Sequence, residues 1–259
     1  MTLLQPLRTG PLATLNPVAK LGAALIVTVA LLLSIDPVSA GVALGLELVL
    51  LTLARIPIRS VIARTAPVWI AAPLAGLTTV LYGQRSGTVY VQWWAVEISD
   101  GSIALGVATA LRVLAIGLPA VLLFVTIDPT DLADGLAQLV RLPARFVIGG
   151  LAALRLVGLF AEDWRALTLA RRARGVAESG AFRRFLGQSF ALFVLSLRRG
   201  TKLATAMEAR GFGAPGTRTW ARPSVFRGRD WVALVVAALV AGLAIAAAVA
   251  VGSWHAPLS

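Results

Sequence analysis

The residues whose type and spacing most directly suggest chemistry are three aspartates, Asp128, Asp131 and Asp134, in the string DPTDLADG. Carboxylates three residues apart on a helix are neighbours and can hold Mg²⁺ against a diphosphate. The same acids also suit the first turn of a helix, where the dipole favours negative charge, and that plainer reading is the better supported. A second constellation is basic. LARRARGV and TAMEARGFG each contain Ala-Arg-Gly, with Arg174 and Arg210 lying 36 residues apart.

The acidic string goes no further toward an enzyme. Membrane CDP-alcohol phosphotransferases begin their motif with a comparable D-x-x-D-G, then continue with Ala-Arg and two more aspartates. Here Gln138 and Leu139 stand in the Ala-Arg places, and no acid follows until Glu162. A phosphate cradle of the form G-x-x-x-x-G-K-[ST] is missing: RRGTKL, at Arg198–Leu203, lacks the first glycine and the spacing. The single histidine, His255, lies four residues from the end, and cysteine is absent. A conventional ABC importer permease would carry a Glu-Ala-Ala loop ending Gly-x9-Ile-x-Leu-Pro, and ADGLAQLVRLP has far too little between its glycine and its Leu-Pro. That permease reading stays as the alternative, with the phosphotransferase behind it.

An arginine before a helix-stopping glycine has an ordinary local explanation in the helix dipole and the C-cap. Two features give the repeated tripeptide a further meaning. Both copies end long amphipathic helical stretches, and both put an always-charged guanidinium at the tip of a rigid rod. Such a group suits a bidentate grip on a partner's carboxylate.

The elements that must position these tripeptides follow from composition. The chain has 259 residues, 58% of them hydrophobic, with a mean hydropathy of +0.84. Its apolar runs approach the roughly 20 residues that cross a bilayer as a helix. The fold class expected is an all-α integral membrane protein. Five spans are predicted, at about Val18–Ile35, Ser39–Ala54, Ala66–Tyr82, Ile103–Ile127 and Trp231–Val251. DPVSAG offers an A-x-A-like cleavage site after the first span, but that apolar stretch is long for a signal sequence, so the span is expected to be retained.

Lys and Arg outnumber Asp and Glu by 24 to 12. Uneven placement points this charge at lipid headgroups and acidic protein partners, not at nucleic acid. Arg8 and Lys20 precede the first span, and Arg55, Arg59 and Arg64 separate the second from the third. On the other side Arg85 is alone among Asp36, Glu97 and Asp100. The positive-inside rule then places the N-terminus inside and the C-terminus outside. Tyr90, Trp93 and Trp94 suit an outer interfacial belt, and Arg112, within the fourth span, should face protein or snorkel.

Three regions result: a four-span part at 1–127, a cytoplasmic helical region at 128–228, and a last span with a short outer tail at 229–259. Between Asp128 and Asp230 the chain holds 16 Arg and one Lys against eight acids. ARFVIGG through ARRARG reads as one helix of some 30 residues, or about 45 Å, stopped by Gly175. The next helix shows an apolar stripe of Phe182, Leu186, Phe190, Phe193 and Leu197, for which another helix of this chain is the commonest cover. Gly200 is expected to break that helix before TKLATAMEARG ends it at Gly211.

On these residues the chain resembles the transmembrane T component of energy-coupling-factor (ECF) transporters, the group that includes EcfT, CbiQ and BioN. The resemblance runs from TLNPVAKL, at Thr14–Leu21, through TIDPTDLADGLAQLVRLP to AMEARGFG, its most specific string. Asn16, ahead of Pro17, departs from the aspartate or histidine often found nearby in that family. The resemblance implies a bacterial or archaeal cell membrane and no catalysis in this chain, with ATP and Mg²⁺ bound by two partner ATPase subunits. It implies that Arg174 and Arg210, with motif neighbours Ala173, Gly175, Ala209 and Gly211, dock one into each ATPase. A separate substrate-binding S subunit for a vitamin or transition metal would rest on the apolar surface. Arg171, Arg172, Arg183 and Arg184 are auxiliary candidates, as is Glu208, for which Lys202 or an ATPase arginine is the candidate partner.

Overall fold

The computed structural model describes residues 14–34, 36–53, 58–83, 87–93, 96–175, 180–214 and 219–253. Eight helices and one hairpin occur among them: α1 (Pro17–Leu32), α2 (Pro37–Leu53), α3 (Ile58–Tyr82), β1 (Val89–Trp93), β2 (Val96–Ser99), α4 (Asp100–Val125), α5 (Pro129–Gln138), α6 (Ala144–Ala173), α7 (Ala181–Ala209) and α8 (Gly228–Ala250). Arg8, Arg55, Arg85, Trp94 and His255 lie outside the described residues. The chain divides into two compact units, residues 1–135 with 224–259, and residues 136–223.

Each of the five expected spans coincides with a helix of the first unit: α1, α2, α3, α4 and α8. Val61–Tyr82, Asp100–Val125 and Gly228–Ala250 are long and apolar enough to cross a membrane, while α1 and α2 are shorter apolar helices. Ala144–Ala173 also meets that length and composition, whereas from the sequence it is expected in a cytoplasmic region. Its apolar first half satisfies the measure, and its charged second half, from Glu162 onward, separates it from α4 and α8.

Within the first unit α1 packs on α4 and α8, α2 on α4 and α8, and α3 on α4. The core is built from Val27 and Leu31 of α1, Ala43 of α2, Ala115 of α4, and Ala237, Val240 and Ala244 of α8. Lipid tails are as apolar as leucine, so small residues that let backbones approach are the natural interface. Gly76 of α3 and Gly106 of α4 carry this furthest. A Cβ on Gly106 would lie 2.8 Å from the Gly76 carbonyl and 2.3 Å from Val80 Cγ2.

Most buried polar groups described in this unit have partners; the Glu47 carboxyl oxygens and Arg112 Nε do not. Asp230 is 2% exposed, and its carboxylate accepts from the backbone N–H of Asn16 and of Arg227, each at 2.7 Å. Asn16 caps α1 by accepting from Val18 N–H at 2.9 Å, and its amide donates to Ser224 Oγ and the Val225 carbonyl. Lys20, 1% exposed, donates through Nζ to the Thr126 carbonyl and hydroxyl, both at 3.0 Å. Lys20, counted in the sequence as a basic residue marking the inner side of the first span, has its ammonium held inside the protein. Arg112 faces protein as expected, donating to the Ser34 carbonyl. Asp36 accepts from Ser34 and Ser39. Burial alone would raise the Asp36 carboxyl, but these hydrogen bonds outweigh it and hold the group below the usual carboxylate range.

The stretch expected only as an aromatic belt forms an antiparallel hairpin, with Trp93 opposite Val96, Gln92 opposite Glu97 and Val91 opposite Ile98. Its alternating VYVQW suits a pleated ribbon. Ser99 closes β2 and caps α4 in a reciprocal exchange with Ser102.

In the second unit α6 and α7 meet locally. Trp164 and Phe185 meet as a tilted pair with ring centroids 5.7 Å apart, and Gln188 donates to Thr168 Oγ1 at 3.2 Å. Arg199 grips Asp163 with two bonds of 2.6 and 2.9 Å. Two expectations are corrected here. First, α7 runs unbroken through Gly200, because one interior glycine costs only about 1 kcal/mol among good helix formers. Second, within this unit no described helix covers the apolar stripe: Phe182 is 76% exposed, Phe190 68%, and Leu186, Phe193 and Leu197 more than half. The contact face of α7 holds Phe185, Gln188 and Arg199 instead.

Candidate docking site at the ends of two long helices

The two Ala-Arg-Gly copies end α6 and α7 with the same backbone geometry. Arg174 is the C-cap of α6, its N–H bonded to the Ala170 carbonyl at 3.2 Å. Gly175 follows at φ 68°, with its N–H on Arg172. Arg210 is the C-cap of α7, and Gly211 follows at φ 77° with its N–H on Glu208. Phe212 N–H then reaches back to Met207, completing a Schellman motif. Nothing lies within 4 Å of a Cβ placed on either glycine, so the left-handed φ, not crowding, is what requires glycine there. Ala173 and Ala209 are the last helical residues of their rods.

What this arrangement presents is charge without a counter-charge. Arg174 and Arg210 are exposed, and neither guanidinium meets a carboxylate among the described residues. Arg199, by contrast, is already held by Asp163. Arg171 is half-buried and turned onto α7, with Nη1 placed 3.2 Å from where a Cβ of Gly187 would sit, and its Nε is buried with no hydrogen-bond partner. Arg172, Arg183 and Arg184 are exposed, as is Glu208, which forms no ion pair with Lys202 among the described residues. Six residues apart on one helix, Glu208 and Lys202 point about 120° away from each other.

Asp128 Oδ1 accepts from Thr130 N–H at 2.8 Å at the start of α5, and Asp131 acts electrostatically on Lys20. Among the described residues no group of three or more His, Cys, Asp or Glu side chains is placed to hold a metal ion. Sequence reasoning passed over Asp230, Thr126 and Glu47. Glu47 is 7% exposed on α2, and neither of its carboxyl oxygens has a partner among the described residues. A lone acid inside the apolar string GLELVLL was the available signal for it.

Residues 9–220 match the sequence profile of the CbiQ family, described as cobalt transport protein. The energy-coupling factor transporter transmembrane protein EcfT of Brevibacillus brevis is 28% identical over 239 residues, covering 87% of this chain and 89% of the relative. EcfT of Bacillus selenitireducens is 30% identical over 244 residues, covering 90% and 91%. EcfT of Lacticaseibacillus paracasei is 33% identical over 162 residues, covering 58% and 61%. The matches span the helices of a multi-pass membrane protein and both glycine-terminated rods, and the chain belongs to the CbiQ/EcfT family of ECF transporter transmembrane components.

Proposed function

We propose that this chain is the coupling subunit of an ATP-driven importer, and that Arg174 and Arg210 are its attachment points for two ATPase subunits. One observation carries the reading: two long helices end in the same left-handed glycine turn, each presenting an exposed arginine that no carboxylate among the described residues neutralises. A rod of about 45 Å transmits a displacement at its tip as rigid-body movement, which a flexible loop cannot do. ATP and Mg²⁺ belong to the partner chains in this reading, and this chain performs no chemistry itself. Arg171, Arg172 and Glu208 are secondary contacts.

The uncovered stripe of α7, Phe182 to Leu197, is the surface on which a membrane-embedded substrate-binding subunit rests. Exposed apolar area of this extent calls for a partner or lipid. The cargo, a vitamin or a transition metal, is recognised by that subunit. Orientation follows the basic residues, with the N-terminus cytoplasmic and the C-terminus outside.

The test is co-expression of the tagged chain with the ATPases, followed by capture in detergent. Wild type is expected to retain both ATPase subunits and Arg174→Glu/Arg210→Glu to lose them, with membrane insertion unchanged. Removing one partner of a desolvated charge pair typically costs about 2–5 kcal/mol, enough to empty each contact. Equal capture by both proteins would reduce the tripeptides to helix ends and favour a self-contained permease.

A further inference from the structure

Beside the first tripeptide lies a concavity of about 310 Å³, whose Arg171 and Arg172 the docking reading takes only as secondary contacts. Its walls come from the second half of α6 and the first turns of α7, and Arg171, Arg172 and Arg184 all line it. No carboxylate is among its lining residues. Three like charges around one hollow repel one another, and none has an anionic partner among the described residues. Arg171 adds a buried Nε with no hydrogen-bond partner, a desolvation cost that only an incoming acceptor offsets.

The rest of the hollow is built to the same end. Gly187 leaves the room into which the Arg171 guanidinium fits, since a Cβ there would come within 3.2 Å of Nη1. Gln188, 4% exposed, ties α7 to Thr168 of α6 and makes a hydrogen-bonding floor. Ala181 brings the start of α7 to the rim, and that helix has no side-chain cap, so its positive dipole end adds to the field. Trp164 and Phe185 form an aromatic wall, and Phe182 and Leu186, three residues before and one after Phe185 on α7, are exposed apolar side chains. The polar part therefore recognises an oxyanion, and the apolar margin favours an oxyanion that carries hydrocarbon.

We propose that this pocket between α6 and α7 binds a phosphate group, and that the group is the headgroup phosphate of an anionic phospholipid. Arg171 and Arg184 make charge-assisted hydrogen bonds to the phosphate oxygens from the two helices, and Arg172 adds charge at the mouth. Such a lipid bridges α6 and α7 close to the Arg174 turn, so its occupancy stiffens the angle between the two rods.

The chain has no cysteine, so Ala170→Cys, at an exposed position on α6, gives a unique attachment for an environment-sensitive fluorophore. The full-length labelled chain in neutral detergent is titrated with dihexanoyl-phosphatidylglycerol, dihexanoyl-phosphatidylcholine, inorganic phosphate and a hexaglutamate peptide. The expected result is saturable binding of phosphatidylglycerol, weakened about tenfold or more in Arg171→Ala/Arg184→Ala and unchanged in Arg198→Ala. Gly187→Ala keeps every charge and favours the helix, so it tests the pocket without risk to folding. It should weaken binding about threefold by displacing the Arg171 guanidinium. Indifference to these variants, or an equal response to phosphatidylcholine, overturns the site. Inorganic phosphate binding as tightly as phosphatidylglycerol overturns the lipid assignment, and hexaglutamate outcompeting it overturns the phosphate assignment in favour of an acidic protein surface. No ATPase enters the assay, so its outcome is separate from that of the docking reading.

Discussion

The two units of this chain treat polar and apolar groups in opposite ways. In the first, Asp230, Lys20 and Asp36 are nearly inaccessible, and each is matched by donors or acceptors from its own unit. Apolar side chains on α1, α2, α4 and α8 share a core of small residues. In the second, α6 buries no residue fully and α7 buries only Gln188. Phenylalanines and arginines stand open on both rods. Apart from Glu47 and Arg112 Nε, the buried polar groups described in the bundle are matched within it, since an unmatched polar group in lipid has no water to turn to. On the proposed function, a pair of rods that makes its contacts with other chains can stay incomplete until those chains arrive.

That contrast can be broken by mutation, starting with the largest effect. Asp230→Ala leaves the N–H groups of Asn16 and Arg227 buried without their acceptor and removes a charge that favours the Lys20 ammonium. A loss of about 3 kcal/mol or more is expected, seen as a lower thermal midpoint of the purified chain in detergent. If Asp230→Ala melts like wild type, the polar cluster is not what fastens α1 to α8. Gly106→Val comes next. Its side chain would meet the Gly76 carbonyl and Val80, forcing α3 from α4 at about 1–3 kcal/mol, and a midpoint equal to wild type would show that the two helices separate freely.

Smaller effects belong to the second unit. Gly175→Ala and Gly211→Ala each put a Cβ at positive φ, costing about 1–2 kcal/mol per site. Hydrogen exchange should report faster opening of the last turns of α6 and α7, with weaker ATPase capture although both arginines remain. Unchanged exchange would mean that the turns relax without strain. Phe190→Ser/Phe193→Ser removes apolar groups that touch no core, so the midpoint should move by less than about 0.5 kcal/mol in equivalent stability. Association with the substrate-binding subunit should fall all the same. A large drop in the midpoint would show that the stripe is internal packing after all.

Much of the candidate site was legible in the residues alone. Ala-Arg-Gly at the end of a helical pattern specifies a C-cap and a left-handed glycine, and both appear at the expected positions. The 30-residue length of α6 was readable because no proline falls between Pro143 and Gly175. The hairpin from Val89 to Ser99 was not, since its aromatic residues fit a membrane interface equally well. Nor was the face by which α7 meets α6. The stripe from Phe182 to Leu197 was the stronger apolar signal, yet the contact runs through Phe185, Gln188 and Arg199, one step round the helix.

By itself, then, the sequence determined the features that close over a few residues: where each rod stops, where glycine is indispensable, and which arginines end up at the tips. Those depend on backbone bonds spanning five residues or fewer, such as Phe212 to Met207. Only the tertiary structure decided that Lys20 is consumed by Thr126, 106 positions away, and that Asn16 meets Asp230 across 214. A buried charge is matched by whatever the folded chain brings beside it, and no local pattern carries that information.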